Sequence, residues 1–421
     1  MDKYFYKCFD CRKEYSKKEI EDNFIYLCPA CGLIQKNQPL RGVLLIQYDY
    51  NAIKEKHTAG ELFDLQPGKF WLYDYLWPLE TVKGKLKRIE DASLNLVTLS
   101  SNCYLELSSK GERFYILDDS RNPTLSFKDR ASSLVVLKAM QMGIKQIAAA
   151  STGNAGSSLA GICARLGLKS IIFVPKNIPE SKRIQIQSFG AEVVIVDGDY
   201  DLAFDTCLEI SKKNNWYNRN TAYNPLTIEG KKSSAYDIFI STRGKMPDII
   251  FVPVGDGVII AGLYKGLWEL KELGWIKKIP RLIAVQAAGS DAIARYCRNQ
   301  KFKYKPAGSI ADSICAGAPR NLYMAYNAVV KSGGSAITVN DDEIIDAQKN
   351  CARKYGILIE PSSAASYAGY KKFCKSNETS GGKSLLLFTG NGLKDTSSLL
   401  KWNKEIKPFS CGAVNKKFAV K

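Results

Sequence analysis

A lysine set in the run Asn122-Pro123-Thr124-Leu125-Ser126-Phe127-Lys128-Asp129-Arg130 has the surroundings of a reactive amine. Apolar neighbours and the start of a helical stretch, expected over Ala131–Met142, both lower an amine's pKa. A neutral amine is what bond formation to a carbonyl carbon requires. Taken alone, the run reads first as a surface lysine in a capped turn. Three further segments carry polar groups suited to a ligand. Ser151-Thr152-Gly153-Asn154-Ala155-Gly156 offers hydroxyls, an amide and helix-start N–H groups, which suit a carboxylate or phenolate oxygen. Val254-Gly255-Asp256-Gly257-Val258 offers backbone amides to a phosphate, although Asp256 would repel a dianion. Phe388-Thr389-Gly390-Asn391-Gly392-Leu393-Lys394-Asp395 presents the Thr389 hydroxyl to a ring nitrogen. A separate chemistry sits near the N-terminus, where the pairs Cys8/Cys11 and Cys28/Cys31 are separated by 16 residues. Four thiolates at this spacing, with Pro29 and Gly32 shaping the second turn, read as a closed, structural zinc ribbon.

The elements that must position these groups follow from the apolar pattern. Short runs at Phe114–Leu117, Gln146–Ala150, Ser170–Val174, Glu192–Val196, Ile249–Val254, Arg281–Gln286 and Ser384–Phe388 alternate with amphipathic stretches. That pattern predicts an α/β protein with parallel sheet and covering helices. All four ligand-suited segments fall at strand-to-helix junctions, where open α/β sheets bind ligands. Residues 1–40 read as the zinc ribbon and 41–110 as a connecting arm with a β-prone start at Val43–Tyr48. The catalytic region spans 111–400, with a smaller lobe inserted over about 130–230, and 401–421 is a basic C-terminal tail.

Composition removes several classes. The balance of 45% hydrophobic and 24% charged residues is globular. Neither an apolar stretch of membrane-spanning length nor a signal-like N-terminus is evident, so a cytoplasmic protein without membrane association is expected. The net charge of +18 raises nucleic acid as a partner. The basic residues are dispersed, however, so a solvated basic surface and a small anionic ligand are expected instead. A single histidine, His57, in a polar segment gives no basis for a histidine-dependent hydrolase or metal centre.

Together the four segments resemble the threonine synthases, pyridoxal-phosphate (PLP) enzymes that share the tryptophan-synthase β-subunit fold. In the family's Asn-Pro-Thr-Gly-Ser-Phe-Lys-Asp-Arg, the Schiff-base lysine falls on Lys128. Ser151, Thr152 and Asn154 match the loop that holds the substrate carboxylate and the cofactor's phenolic oxygen. Thr389 matches the residue at the pyridine nitrogen. Gly255, Asp256, Gly257 and Val258 fall on the cofactor-phosphate loop, and Tyr48-Asp49-Tyr50 follows the cysteine pairs as in many members. The resemblance implies a two-lobed fold, PLP and structural zinc as cofactors, conversion of O-phosphohomoserine to threonine and phosphate, and a homodimer.

The departures are specific. The phosphate loop, Gly-Asn-x-Gly-Asn in the family, is Gly255-Asp256-Gly257-Val258-Ile259. Leu125 stands at a glycine, Ser100–Leu105 replaces Glu-Gly-x-Thr-Pro-Leu, and Thr227 stands at the arginine that meets the substrate's phosphate. Losing a guanidinium removes charge-assisted bonds, which Lys231 or Lys232 would have to replace. Two alternatives stay open on these grounds: β- or γ-elimination or replacement on another amino acid, and a scaffold that has lost its cofactor.

Overall fold

The computed structural model describes residues 2–79, 99, 104–109, 112–151, 153–376, 382–404 and 406–410. Thirteen strands make three sheets among the described residues. They are β1 (Tyr4–Cys8), β2 (Glu14–Tyr15), β3 (Leu44–Tyr48), β4 (Tyr104–Ser109), β5 (Glu112–Asp118), β6 (Gln146–Ala150), β7 (Lys169–Pro175), β8 (Glu192–Val196), β9 (Tyr217–Asn218), β10 (Ile249–Pro253), β11 (Arg281–Ala287), β12 (Ser335–Val339) and β13 (Ser384–Phe388). The largest sheet runs β12-β11-β10-β13-β5-β4 and is parallel except for the β4–β5 pair. A second, wholly parallel sheet, β8-β7-β6-β9, is built from the chain between β5 and β10. Central strands such as Ile249–Pro253 and Ser384–Phe388 are buried at every position. That is why they read as continuous apolar runs, not as alternating ones. The strands β4 and β12, which the apolar pattern does not mark, are the two edge strands of this sheet and carry half-exposed residues.

The third sheet, β2-β1-β3, is antiparallel and carries Cys8 at the end of β1. Its outer strand, Leu44–Tyr48, lies in the segment expected to be arm, so this sheet continues past residue 40. Further along that segment Tyr73 stacks on Tyr236 at 4.7 Å and fixes the aromatic stretch against the helix Ser233–Ser241. Ser100–Cys103 and most of the tail lie outside the described residues. No helix among the described residues is long and apolar enough to cross a membrane.

Two buried ionic clusters hold the helices around the sheet ends. Arg130, fully buried, grips Asp119 through two nitrogens at 2.5 and 2.8 Å and Asp237 through a third at 2.5 Å. This anchors the start of the helix Asp129–Gln141 directly after Lys128. The second cluster joins Glu229 and Lys232, at the helix Leu226–Lys231, to Lys265 and Glu269 on the helix Val258–Glu272. Tyr48, Tyr50 and Tyr236 donate their hydroxyls to its two carboxylates. Charges of both signs alternate here, so each desolvated ion has opposite neighbours. Replacing Glu269 with Ala leaves two buried lysines short of a carboxylate, and urea unfolding should show a loss of about 3–5 kcal/mol; an unchanged midpoint would show the cluster to be dispensable.

Candidate functional site

The carboxyl ends of β5, β6 and β10 deliver their following loops to one cleft between the two parallel sheets. It encloses about 660 Å³ out to its open mouth. Its lining includes Lys128, Ser151, Asn154, Gly255, Asp256, Gly257 and Val258, so seven of the expected site residues meet in one place. Thr152 lies outside the described residues, and Thr389 lies outside this lining. Thr389 is nevertheless tied to the lysine turn, since its carbonyl accepts from the Phe127 N–H at 2.9 Å. Its own N–H donates to Ser363 Oγ at 2.8 Å.

Lys128 immediately precedes the helix Asp129–Gln141. Burial is the first cause that brings its pKa down to about 8; the Arg219 guanidinium adds to the fall, while Glu360 and Asp256 oppose it. The turn that presents it holds Leu125 at φ +65°, the left-handed region that glycine adopts freely. The chain thus keeps the backbone shape of a glycine turn while using a leucine.

Ser151 acts first as a local cap: its Oγ accepts from the Gly153 and Gly156 N–H groups at 2.9 and 2.8 Å. Asn154 donates from Nδ2 to both Glu360 oxygens, at 2.8 and 2.9 Å, and to Ser313 Oγ at 3.0 Å. Its Oδ1 is buried with no partner among the described residues. Lys182 closes the same corner, with Nζ 2.7 Å from Asp312 Oδ2. Glu360, Ser313 and Lys182 are site residues that sequence reasoning missed; only the Glu360-Pro361 helix start carried any signal.

The loop after β10 is close-packed. A Cβ on Gly255 would lie 2.7 Å from Ile314 Cα, and Gly257 sits at φ +86° with its Cβ position 2.9 Å from the Asn321 carbonyl. The helix Val258–Glu272 starts here, and Gly257, Val258 and Ile259 line the cleft with N–H groups that a helix start leaves unpaired. Asp256 is turned into the scaffold: Oδ1 accepts from the Arg320 N–H and Oδ2 from Tyr200 Oη, both at 3.1 Å. Val258, a glycine in the resembled loop, packs with Leu40, Val43 and Met324. The changed loop therefore exchanges polar side chains for attachment to the N-terminal segment and keeps the helix-start amides. A phosphate fits those amides, and the orphaned Asn154 Oδ1 offers an acceptor at the other end of the cleft.

Residues 104–390 match the family model described as pyridoxal-phosphate dependent enzyme. Threonine synthase of Methanocaldococcus jannaschii is 34% identical over 410 residues, covering 96% of each chain. The chain belongs to the threonine synthase family of PLP enzymes. A second member, from Methanosarcina acetivorans, is 31% identical over 402 residues and 94% of each chain. The processed form of threonine deaminase isoform 2 from Solanum lycopersicum shares the fold, with a TM-score of 0.59 at 19% identity over 84% of this chain and 91% of its own. PLP is the family's cofactor, and Lys128, Asn154 and the loop after Gly255 line one cleft.

The cysteine cluster stands apart from this cleft. The four sulfurs of Cys8, Cys11, Cys28 and Cys31 lie within 4.8 Å of one another, with Cys8–Cys31 at 3.4 Å and Cys11–Cys28 at 3.6 Å. Tetrahedral zinc with bonds of about 2.3 Å requires sulfurs about 3.8 Å apart, so the set fits a closed structural site. Metal analysis of the purified chain should give one zinc, lost in Cys28→Ser; full zinc in that variant would place the metal elsewhere. Because only the unprotonated amine attacks a carbonyl carbon, capture of PLP by Lys128 should quicken as pH rises through about 8. A midpoint near the ordinary lysine value of 10.5 would show that the surroundings do not act on the amine.

Proposed function

We propose that this chain converts O-phosphohomoserine and water to threonine and inorganic phosphate, with PLP attached through Lys128. The observation that carries this reading is the meeting, in one cleft, of a lysine with a pKa of about 8 and a helix start open to an anion. Likeness to threonine synthases over nearly the whole chain supports it. When bound, PLP supplies the electron sink for charge developing on the substrate's carbons. The N–H groups of Gly257, Val258 and Ile259 hold the cofactor's phosphate. Asn154, fixed through Nδ2 by Glu360 and Ser313, would offer its free Oδ1 to the cofactor's phenolic hydroxyl, and Ser151 and Thr152 would receive the substrate carboxylate. Thr389, held by Ser363, serves the ring nitrogen. Lys128 would hold PLP covalently and, when its amine is free, would take and return protons at the α and β carbons. A pKa of about 8 lets one amine do both near neutral pH. Phosphate leaves Cγ and water adds at Cβ. A small amino-acid substrate, a cytoplasmic location and a homodimer belong to the same reading as family-level expectations.

A second reading keeps PLP and changes the substrate to another amino acid that undergoes elimination or replacement. Thr227 favours it: in place of an arginine it offers a hydroxyl already donating to the Asn224 carbonyl at 2.8 Å and accepting from the Ala222 N–H at 3.2 Å. Phosphate release from O-phosphohomoserine separates the two. The PLP-loaded chain should release phosphate and threonine in equal amounts, and Lys128→Ala, folded by circular dichroism, should lose both this turnover and the visible absorption of bound PLP. Turnover of another amino acid with none of O-phosphohomoserine would establish the second reading.

A further inference from the structure

Two lysines line the cleft, a buried arginine lies near them, and Lys231 and that arginine have no task in the chemistry above. Lys231 lines the cleft with Lys128, is 1% exposed, and its Nζ donates to the Thr227 carbonyl at 3.2 Å. Arg219 follows β9, is 0% exposed, and its Nε, Nη1 and Nη2 have no hydrogen-bond partner among the described residues. Its backbone N–H is fixed to the Ala148 carbonyl at 2.8 Å, so the residue cannot drift from the sheet end.

The position of the guanidinium is marked by its neighbours. After burial, Arg219 is the largest influence lowering the pKa of both Lys128 and Lys231. Its own pKa is lowered to about 10, first by burial, with Tyr200 and Asp129 opposing. Its neighbours along the chain and the sheet, Thr221 and Ala150, line the cleft together with Lys128, Lys231 and Tyr200, so the guanidinium lies close behind that wall. The adjacent Lys232 is excluded from this group, because it is consumed by Glu229 and Glu269. Among the carboxylates, Asp256 is the one that lines the cleft, and both its oxygens are engaged by Tyr200 and the Arg320 N–H. A buried guanidinium left with all its donors unused is costly unless an anion reaches it.

We infer that Arg219 and Lys231 form a subsite for a phosphate monoester dianion, and that it takes the phosphate of the substrate, not that of the cofactor. The choice rests on charge and on supply. The helix start at Gly257–Ile259 already provides amides for one phosphate. A second dianion would balance Arg219 and Lys231, and the proposed reaction brings one with each substrate. A guanidinium's planar fork matches two phosphate oxygens at once, while Lys231 contributes a point charge from the cleft wall. Arg219 would thus do from β9 what Thr227 cannot do from its helix. The assignment rests on the proposed reaction, and the test separates the two.

The test uses PLP-loaded wild type, Arg219→Met, Arg219→Lys and Lys231→Met, with inorganic phosphate as the calorimetric probe. Phosphate affinity should fall roughly ten- to a hundredfold in each Met variant, the loss of one charge-assisted contact, with partial recovery in Arg219→Lys. PLP retained after desalting should match wild type. Thermal stability of Arg219→Met without ligand should rise, because an unpaired buried charge is removed. Unchanged phosphate affinity, a fall in stability that Arg219→Lys restores, or loss of PLP from Arg219→Met would each overturn the assignment; the last would give the guanidinium to the cofactor's phosphate. If wild type binds phosphate but releases none from O-phosphohomoserine, the reaction fails and the subsite stands. If wild type turns over and the variants bind phosphate as tightly as it does, the reaction stands and the subsite fails.

Discussion

Lys128 must be short of a proton while facing a cleft that collects anions, and positive charge packed around the amine answers both demands. Arg219 pushes the amine toward its neutral form and at the same time raises the cleft's attraction for phosphate. Glu360 and Asp256 act in the opposite sense and keep the fall moderate. An anion seated beside Arg219 offsets its field and returns the amine toward protonation. The charge on the proton carrier is thereby linked to whether substrate is present, without any movement of the backbone.

The same charges have to be kept from collapsing onto one another, and the fold does this with separate buried ion clusters. Lys231 and Lys232 are consecutive, so a helix directs them to different sides. One faces the cleft and the other completes the cluster of Glu229, Lys265 and Glu269. That cluster clamps the helix bearing Lys231 to the helix whose start offers amides to the cofactor. Arg130 does the equivalent below Lys128, with Asp119 and Asp237. Paired charges thus fix the helices around the cleft, while the Arg219 guanidinium near it stays unpaired among the described residues.

Much of this was legible in the sequence where function and backbone coincide. Ser151, Asn154 and the loop at Gly255 are read from short motifs because they follow closely on buried strands, and buried parallel strands are the clearest apolar signal; Lys128 comes in the longer turn after β5, carried by its own nine-residue motif. The cysteine pairs are equally local. What stayed hidden depends on contacts across long stretches of chain. Asp256 looks hostile to phosphate until Tyr200 and the Arg320 N–H are seen to occupy its oxygens. Val258 looks like a damaged glycine until it meets Leu40 and Val43. Arg219, in Asn218-Arg219-Asn220, has no pattern around it; its meaning comes from burial without a partner.

The N-terminal sheet touches the body through residues made much later in synthesis. Tyr48 bonds Glu229, Tyr26 accepts from the Asn218 N–H, and Arg320 reaches the Gln38 carbonyl, across 181, 192 and 282 residues of chain. On a ribosome the segment emerges well before these partners and waits for them before any of these bonds can close. Its three strands are too few and too short to hold an apolar face by themselves. The four sulfurs are its local means of staying compact through that interval, since metal-binding free energy in such a site is folding free energy. Metal supply during translation, more than metal content of the finished molecule, would then govern how much of the chain reaches the native state.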